Sequence, residues 1–328
     1  MAHDAHPLTG AQARAYSAPT DRALDASPGG EAVVRRIPRS YAFCALALAC
    51  AAAALFANHV LAPRLLERIP DGWSWQSGFV GHAREPDAKG TGFAPRVAAL
   101  YKRQMRVDGA GPVPGTVRIV DDYTMHDVKT GKVIWRYTVY PIADRRTGAH
   151  ADPKYADEIL VFPPNVERKV YVLRQNYVEG YPMRFVEEET IDRMTTYLFE
   201  YVGTIEYTAS YRGTPDYPGV AVTPGQEIKC ADDVFYLRIW VEPLTGTTVK
   251  VAEGCEAGDY VFDIKTGERV KPVLVWSGDT EGKDVMANIE RARAMRLRFL
   301  TGNYLAPALA GLALVFGAAM LLSLRRAA

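Results

Sequence analysis

The sequence predicts an α+β protein in which two transmembrane helices flank an extracytoplasmic antiparallel β-rich domain carrying a juxtamembrane helix. Three observations lead there. Residues 41–62 (YAFCALALACAAAALFANHVLA) hold no charge, and neither do residues 304–324 (YLAPALAGLALVFGAAMLLSL). About 20 apolar residues in a helix cover the ~30 Å hydrocarbon core of a bilayer, so each run suffices for one crossing. Between the two runs, from Thr116 onward, apolar and polar residues alternate in short blocks broken by turn residues, the pattern of half-buried strands.

Residues 1–40 are rich in Ala, Asp, Pro and Gly and keep no apolar period, so they read as a disordered or partner-ordered cytoplasmic tail. The first span follows. Arg35, Arg36 and Arg39 would suit the basic end of a signal peptide, but the apolar run exceeds a usual h-region. A lipoprotein reading at Cys50 fits poorly, because Ala47 stands where leucine is wanted and membrane-compatible residues continue past the cysteine. A retained anchor is expected. Lys and Arg flank both ends of the spans, and long loops cross membranes largely regardless of charge. The expected topology places both termini in the cytoplasm and the main domain on the extracytoplasmic side.

Residues 63–282 form the expected β-rich domain. Trp73 and Trp75 lie just past the first span, where aromatic rings often sit at headgroup level, and burial in the domain is the equal alternative. Val97 to Arg106 (VAALYKRQMR) reads as a short helix. Strand patterns follow over residues 133–139, 167–175, 196–212, 233–242 and 247–252, and Pro243 to Gly246 reads as a tight hairpin turn. Gly203 interrupts the aromatic alternation and suggests a bulge or bend. The segments 122–134 (DYTMHDVKTGKVI) and 259–270 (DYVFDIKTGERV) echo each other as hairpins built on a Lys-Thr-Gly turn.

Residues 283–303 change period again. Strong helix formers fill Lys283 to Leu300, and Thr301-Gly302-Asn303 appears as a break before the second span at 304–324 and a cytoplasmic end at 325–328. Arg291, Arg293, Arg296 and Arg298 spread around this juxtamembrane helix. Near an anionic leaflet such arginines contribute about 1 kcal/mol each, and ordinary solvated charge is the alternative.

Function classes narrow by composition. A net charge of +1 gives no support to nucleic-acid binding. Cys44 and Cys50 fall in the first span, while Cys230 and Cys255 are the only cysteines of the domain and a candidate disulfide in an oxidising compartment. His82, His126 and His150 lack metal-ligand spacing, and no nucleophile elbow, phosphate loop or dinucleotide fingerprint occurs. Asp121-Asp122 and Glu187-Glu188-Glu189 read as solvated charge, since neighbouring strand residues point to opposite faces. No catalytic residue, cofactor or metal is expected. Tyr197, Phe199, Tyr201, Tyr207 and Tyr211 share one face, either as plain sheet core or as the lining of a lipid-accepting groove.

Residues 144–148 (DRRTG), 162–171 (FPPNVERKVY), 184–201 (RFVEEETIDRMTTYLFEY) and 240–246 (WVEPLTG), with the flanking spans, resemble the DUF3068 group of bacterial envelope proteins, which is labelled a PorA-family porin. These motifs are turns and strand edges, so the resemblance implies architecture rather than chemistry. A pore does not follow from it, because a barrel channel needs many lipid-facing strands and a helical one needs more than two spans per chain. The hairpin at Trp240 to Gly246 after an aromatic strand also looks like the half-barrel lipoprotein carriers of bacterial envelopes. The expected function is a non-catalytic accessory or scaffolding subunit of a larger membrane assembly, with membrane lipids and other integral membrane proteins as partners. Small residues in the spans (Ala51 to Ala54, Gly311, Gly317) would permit close helix contact. Lipid handling in a groove on the Tyr197 face is the alternative.

Overall fold

In the computed structural model, residues 39–155, 157–174, 180–206, 228–263 and 266–327 are described. The expected tail over 1–38, together with Tyr207 and Tyr211, lies outside these residues.

Long alternating segments pair into one sheet. Its strands are β1 (Ser74–Arg84), β2 (Val97–Ala110), β3 (Thr116–Asp127), β4 (Val133–Val139), β5 (Ile142–Asp144), β6 (Glu158–Ile159), β7 (Tyr171–Leu173), β8 (Tyr181–Ile191), β9 (Met194–Glu206), β10 (Ile228–Glu242), β11 (Thr247–Asp263) and β12 (Arg269–Thr280). Their spatial order is β4-β3-β2-β1-β12-β11-β10-β9-β8-β7-β6, with β5 against β3. Every pairing is antiparallel except β6 with β7. The sheet curls into a mixed half-barrel, with one helix before it in sequence and one after.

The path of the chain explains its shape. It enters at the middle on β1, meanders to one edge at β4, crosses to the other edge at β6, and meanders back to β12. β12 then pairs with β1 (Phe79 opposite Thr280, Ala83 opposite Trp276). The strands attached to the two helices are therefore neighbours, so the helices leave the sheet side by side. These are α1 (Arg39–Phe56), continued through one wide turn at Ala57–Leu61 into α2 (Ala62–Leu65), and α3 (Gly282–Ala327). Both are long and apolar enough to cross a membrane.

The two helices run antiparallel and pack along their length. Near the sheet Leu65 and Leu66 press on Gly302, where a Cβ would stand 3.0 Å from Leu66 Cδ2, and Arg298 Nη2 donates to Arg64 O at 3.3 Å. Phe43, Ala47, Cys50, Ala54 and Ala57 of the first helix are covered, as are Gly302, Ala306, Leu309, Ala313, Phe316 and Met320 of α3. Alternate spacings of three and four make each set a narrow stripe suited to close helix packing.

Three sequence expectations are corrected here. Val97 to Arg106 is strand, not helix: Ala99, Tyr101, Arg103 and Met105 point inward and are buried, and the residues between them are not. A buried arginine hid the alternation. No break occurs at Thr301-Gly302-Asn303, because Gly302 contacts the first helix at the point where α3 needs a small residue, and the helix runs on unbroken. The bulge lies on β10 between Asp232 and Phe235, facing Gly203, rather than at Gly203 itself. The Tyr201 ring folds over the glycine: a Cβ there would stand 2.5 Å from Tyr201 Oη.

Candidate functional site

Alternation aims one face of each strand into the half-barrel, and aromatic rings dominate that face. Phe199 is fully buried, against Phe162 (4.8 Å between centroids) and Tyr171 (5.6 Å). Tyr197 and Tyr201 pack beside it. Across the interior Tyr101 meets Phe79, Tyr123 and Trp276, while Tyr123 stacks on Tyr137 at 4.2 Å. Burial holds the Tyr101 and Tyr137 phenols well above their ordinary pKa. Among the described residues these rings pack against one another as one aromatic core.

The end of the half-barrel that bears the helices is different in character. Arg68, in the segment between α2 and β1, is buried, its Nε donating to Phe162 O (3.1 Å) and its Nη2 to Gly246 O (2.9 Å). Those two carbonyls belong to the 162–171 and 240–246 segments, which also bond directly, Asn165 N to Leu244 O and Val166 N to Pro243 O. Gly148, closing the 144–148 turn, lies against Val161 and the Arg68 side chain. Three turn motifs of the sequence thus meet at one arginine. In the hairpin turn, Glu242 accepts from Thr245 N (2.8 Å), Thr245 Oγ1 (2.7 Å) and Leu244 N (3.2 Å). Burial lowers the Arg68 pKa to about 10, with Glu242 opposing that shift and Arg291 adding to it.

Beside Arg68 lies a cavity of about 40 Å³. Arg68, Arg103, Arg291, Trp73 and Trp75 line it with Thr247, Thr248 and apolar neighbours, and among the described residues no carboxylate does. Arg103 is neutralised by Asp121, Nε to Oδ1 at 3.1 Å and Nη2 to Oδ2 at 2.8 Å. Burial alone would lower the Arg103 pKa, but the Asp121 carboxylate raises it well above the ordinary value. Trp75 is 7% exposed, and its Nε1 is buried with no hydrogen-bond acceptor.

The other residues singled out in the sequence disperse. Trp75 is core and Trp73 half-buried, both on the cavity rather than on an outer rim. Of the four helix arginines, Arg291 reaches the cavity and bonds Asn288 Oδ1 (2.7 Å), while Arg293 pairs with Glu290 (2.5 Å) and Asp192 O (3.2 Å). Arg298 ties α3 to Arg64 O, and Arg296 is exposed. The register sets Cys230 opposite Val261 and Cys255 opposite Phe235. At ~3.3 Å per residue these rungs lie roughly 15 Å apart, beyond the about 7 Å a disulfide spans, so the expected bridge does not fit this ladder. Glu188 pairs with Arg168 (2.5 Å) and Glu189 Oε2 accepts from Trp240 Nε1 (3.0 Å), while Asp121 is buried instead of solvated.

One polar chain was not foreseen. His82 Nδ1 lies 2.9 Å from Ser277 Oγ, and its Nε2 lies 3.1 Å from Glu256 Oε2, beside an open pocket shared with Arg84 and Arg96. The residue types are those of a hydrolytic triad. Ser277, however, sits mid-strand on β12, paired with β1 and β11, so its neighbouring amides serve the ladder and, among the described residues, supply no oxyanion site. Arg96 crowds the imidazole as well.

Comparison with known proteins gives architecture only. An exported protein with a YmcC-like fold from Bacteroides fragilis is similar at 13% identity, over 64% of this chain and 95% of that one, with a TM-score of 0.26. No curated protein matches the chain. Residues 40–322 match the family model described as Porin PorA, a span that takes in the first helix, every strand and nearly all of α3, and the chain belongs to that family.

Proposed function

We propose that this chain is a non-catalytic, membrane-anchored subunit that holds its half-barrel outside a bacterial inner membrane and docks laterally to another integral membrane protein. The observation that carries the reading is a second stripe on α3. Tyr304, Ala308, Gly311, Val315, Ala318 and Leu322 repeat the three-and-four spacing of the stripe covered by α1, displaced by two residues, and all six are exposed. At 100° per residue that displacement turns the stripe to the opposite side of the helix. A Cβ at Gly311 would meet nothing within 4 Å, which leaves room for the close approach of a further helix. The close aromatic packing around Phe199 favours this reading over a lipid carrier, and one half-barrel with two helices offers no pore within a single chain.

Native mass spectrometry of the protein, gently extracted from its own membrane, tests the proposal. A stoichiometric protein partner is the expected result. A partner-free monomer carrying an acyl lipid inside the half-barrel would replace it with lipid handling at the Tyr197, Phe199 and Tyr201 face.

A further inference from the structure

We infer that the cavity at the helix-bearing end of the half-barrel binds a phosphate-type oxyanion, held by Arg68, Arg291 and the Trp75 indole. Charge is the first argument. Among the described residues three guanidiniums line the cavity without a carboxylate, and of the three only Arg103 has its counter-charge in bidentate contact. The carboxylates that act on the other two are occupied elsewhere: Glu242 by the amides and hydroxyl of its own turn, and Asp284 by Gly78 N at 2.6 Å. A buried guanidinium without a bound counter-charge is costly, and an anion seated beside it removes that cost.

Orphaned donors are the second argument. The Trp75 indole N–H is buried and lacks an acceptor in a fold where most such groups find one. Arg68 has only Nε and Nη2 committed to carbonyls, leaving its Nη1 donors for another acceptor. Arg291 has only Nη1 committed, to Asn288. These donors arrive from three elements: the segment before β1, β1 itself and α3. A planar carboxylate offers two oxygens, whereas a tetrahedral oxyanion presents acceptors toward three walls. Size is the third argument, since about 40 Å³ admits one such group and not an acyl chain or a nucleoside.

The anion has two possible sources, a free phosphate ion or a lipid headgroup reaching in from a membrane at the same end. The test uses the full chain in detergent and follows tryptophan fluorescence. Sodium phosphate is titrated at constant ionic strength, and dihexanoyl phosphatidic acid, whose phosphomonoester keeps three terminal oxygens, is titrated separately. A saturable change with phosphate supports the site and names the free ion. Saturation with the phospholipid alone supports it and names the headgroup. Trp75→Phe should abolish the signal, and Arg291→Gln should weaken binding about ten- to a hundredfold, the worth of one charge-assisted contact. Arg68→Gln risks the fold because Arg68 pins two backbone segments, so Arg291→Gln, checked for native circular dichroism, is the deciding variant. Absence of saturation with both probes, or affinity unchanged in Arg291→Gln, overturns the assignment. Neither outcome depends on whether a partner helix exists.

Discussion

Arg103 of β2 and Asp121 of β3, diagonal neighbours across the strand pair, form a buried bidentate ion pair, with Tyr123 Oη adding a third donor to the carboxylate at 2.9 Å. Breaking such a pair from one side strands a charge in the core, at a cost of about 3–5 kcal/mol, whereas neutralising both sides costs much less. Arg103→Met and Asp121→Asn are each expected to lower unfolding stability by that amount. The double variant should recover more than half of the summed loss, because Asn keeps an acceptor for Tyr123. Urea unfolding of all four proteins gives the coupling, and strict additivity would show that the pair does not act as a unit.

Gly246 has φ +70°, and a Cβ there would lie 2.3 Å from Pro163 O and 2.4 Å from Phe162 O. Gly131 has φ +71° with nothing within 4 Å of its would-be Cβ. Left-handed backbone costs a non-glycine residue about 1–2 kcal/mol, so Gly131→Ala should cost that alone. Gly246→Ala adds the collision and must displace the 162–166 segment that Arg68 holds. Its melting temperature should therefore fall by several degrees more than that of Gly131→Ala. Equal shifts would mean that the two turn segments separate without penalty.

The two glycines also mark how far the sequence is legible. Turn chemistry is local, and Pro243 to Gly246 is a turn where the residues say so, as β4 is a strand where Val133 to Val139 alternate. What fails locally is what tertiary contact decides. β2 looks helical because Arg103 occupies an inward position that only Asp121, on another strand, makes tolerable. The break expected at Gly302 is a contact with Leu65 and Leu66, far away in sequence. The cavity is invisible for the same reason: Arg68, Trp75 and Arg291 have no sequence spacing in common, and only the β1–β12 pairing brings α3 beside the start of the sheet.

His150 provides a pH test. Burial lowers its pKa below the ordinary 6.5, only partly offset by its contact with Arg174 O at 3.3 Å. Above that pH both folded and unfolded chains hold it neutral, and it contributes no slope. As pH falls through about 6.5 the unfolded chain takes up a proton that the folded state resists, so stability drops with decreasing pH. His150→Gln should leave stability at pH 8 little changed and flatten the decline between pH 7 and 5. Parallel curves for the two proteins would remove His150 as its source.

The two stripes of α3 make opposite predictions for the same kind of substitution. Gly302 faces Leu66, whose Cδ2 would stand only 3.0 Å from a Cβ there, whereas Gly311 faces open space. Gly302→Leu should wedge the two helices apart, lower the melting temperature and weaken the Arg298 contact to Arg64. Gly311→Leu should leave the isolated protein as stable as the parent, because nothing in its own fold touches that position. If a partner helix packs there, the added side chain blocks its close approach, and the partner should be lost from complexes extracted from the membrane. The two readouts separate self-packing from docking. Retention of every co-purifying partner by Gly311→Leu and by Ala318→Leu would show that the outer stripe meets only lipid, and the subunit reading would then lose the observation that carries it.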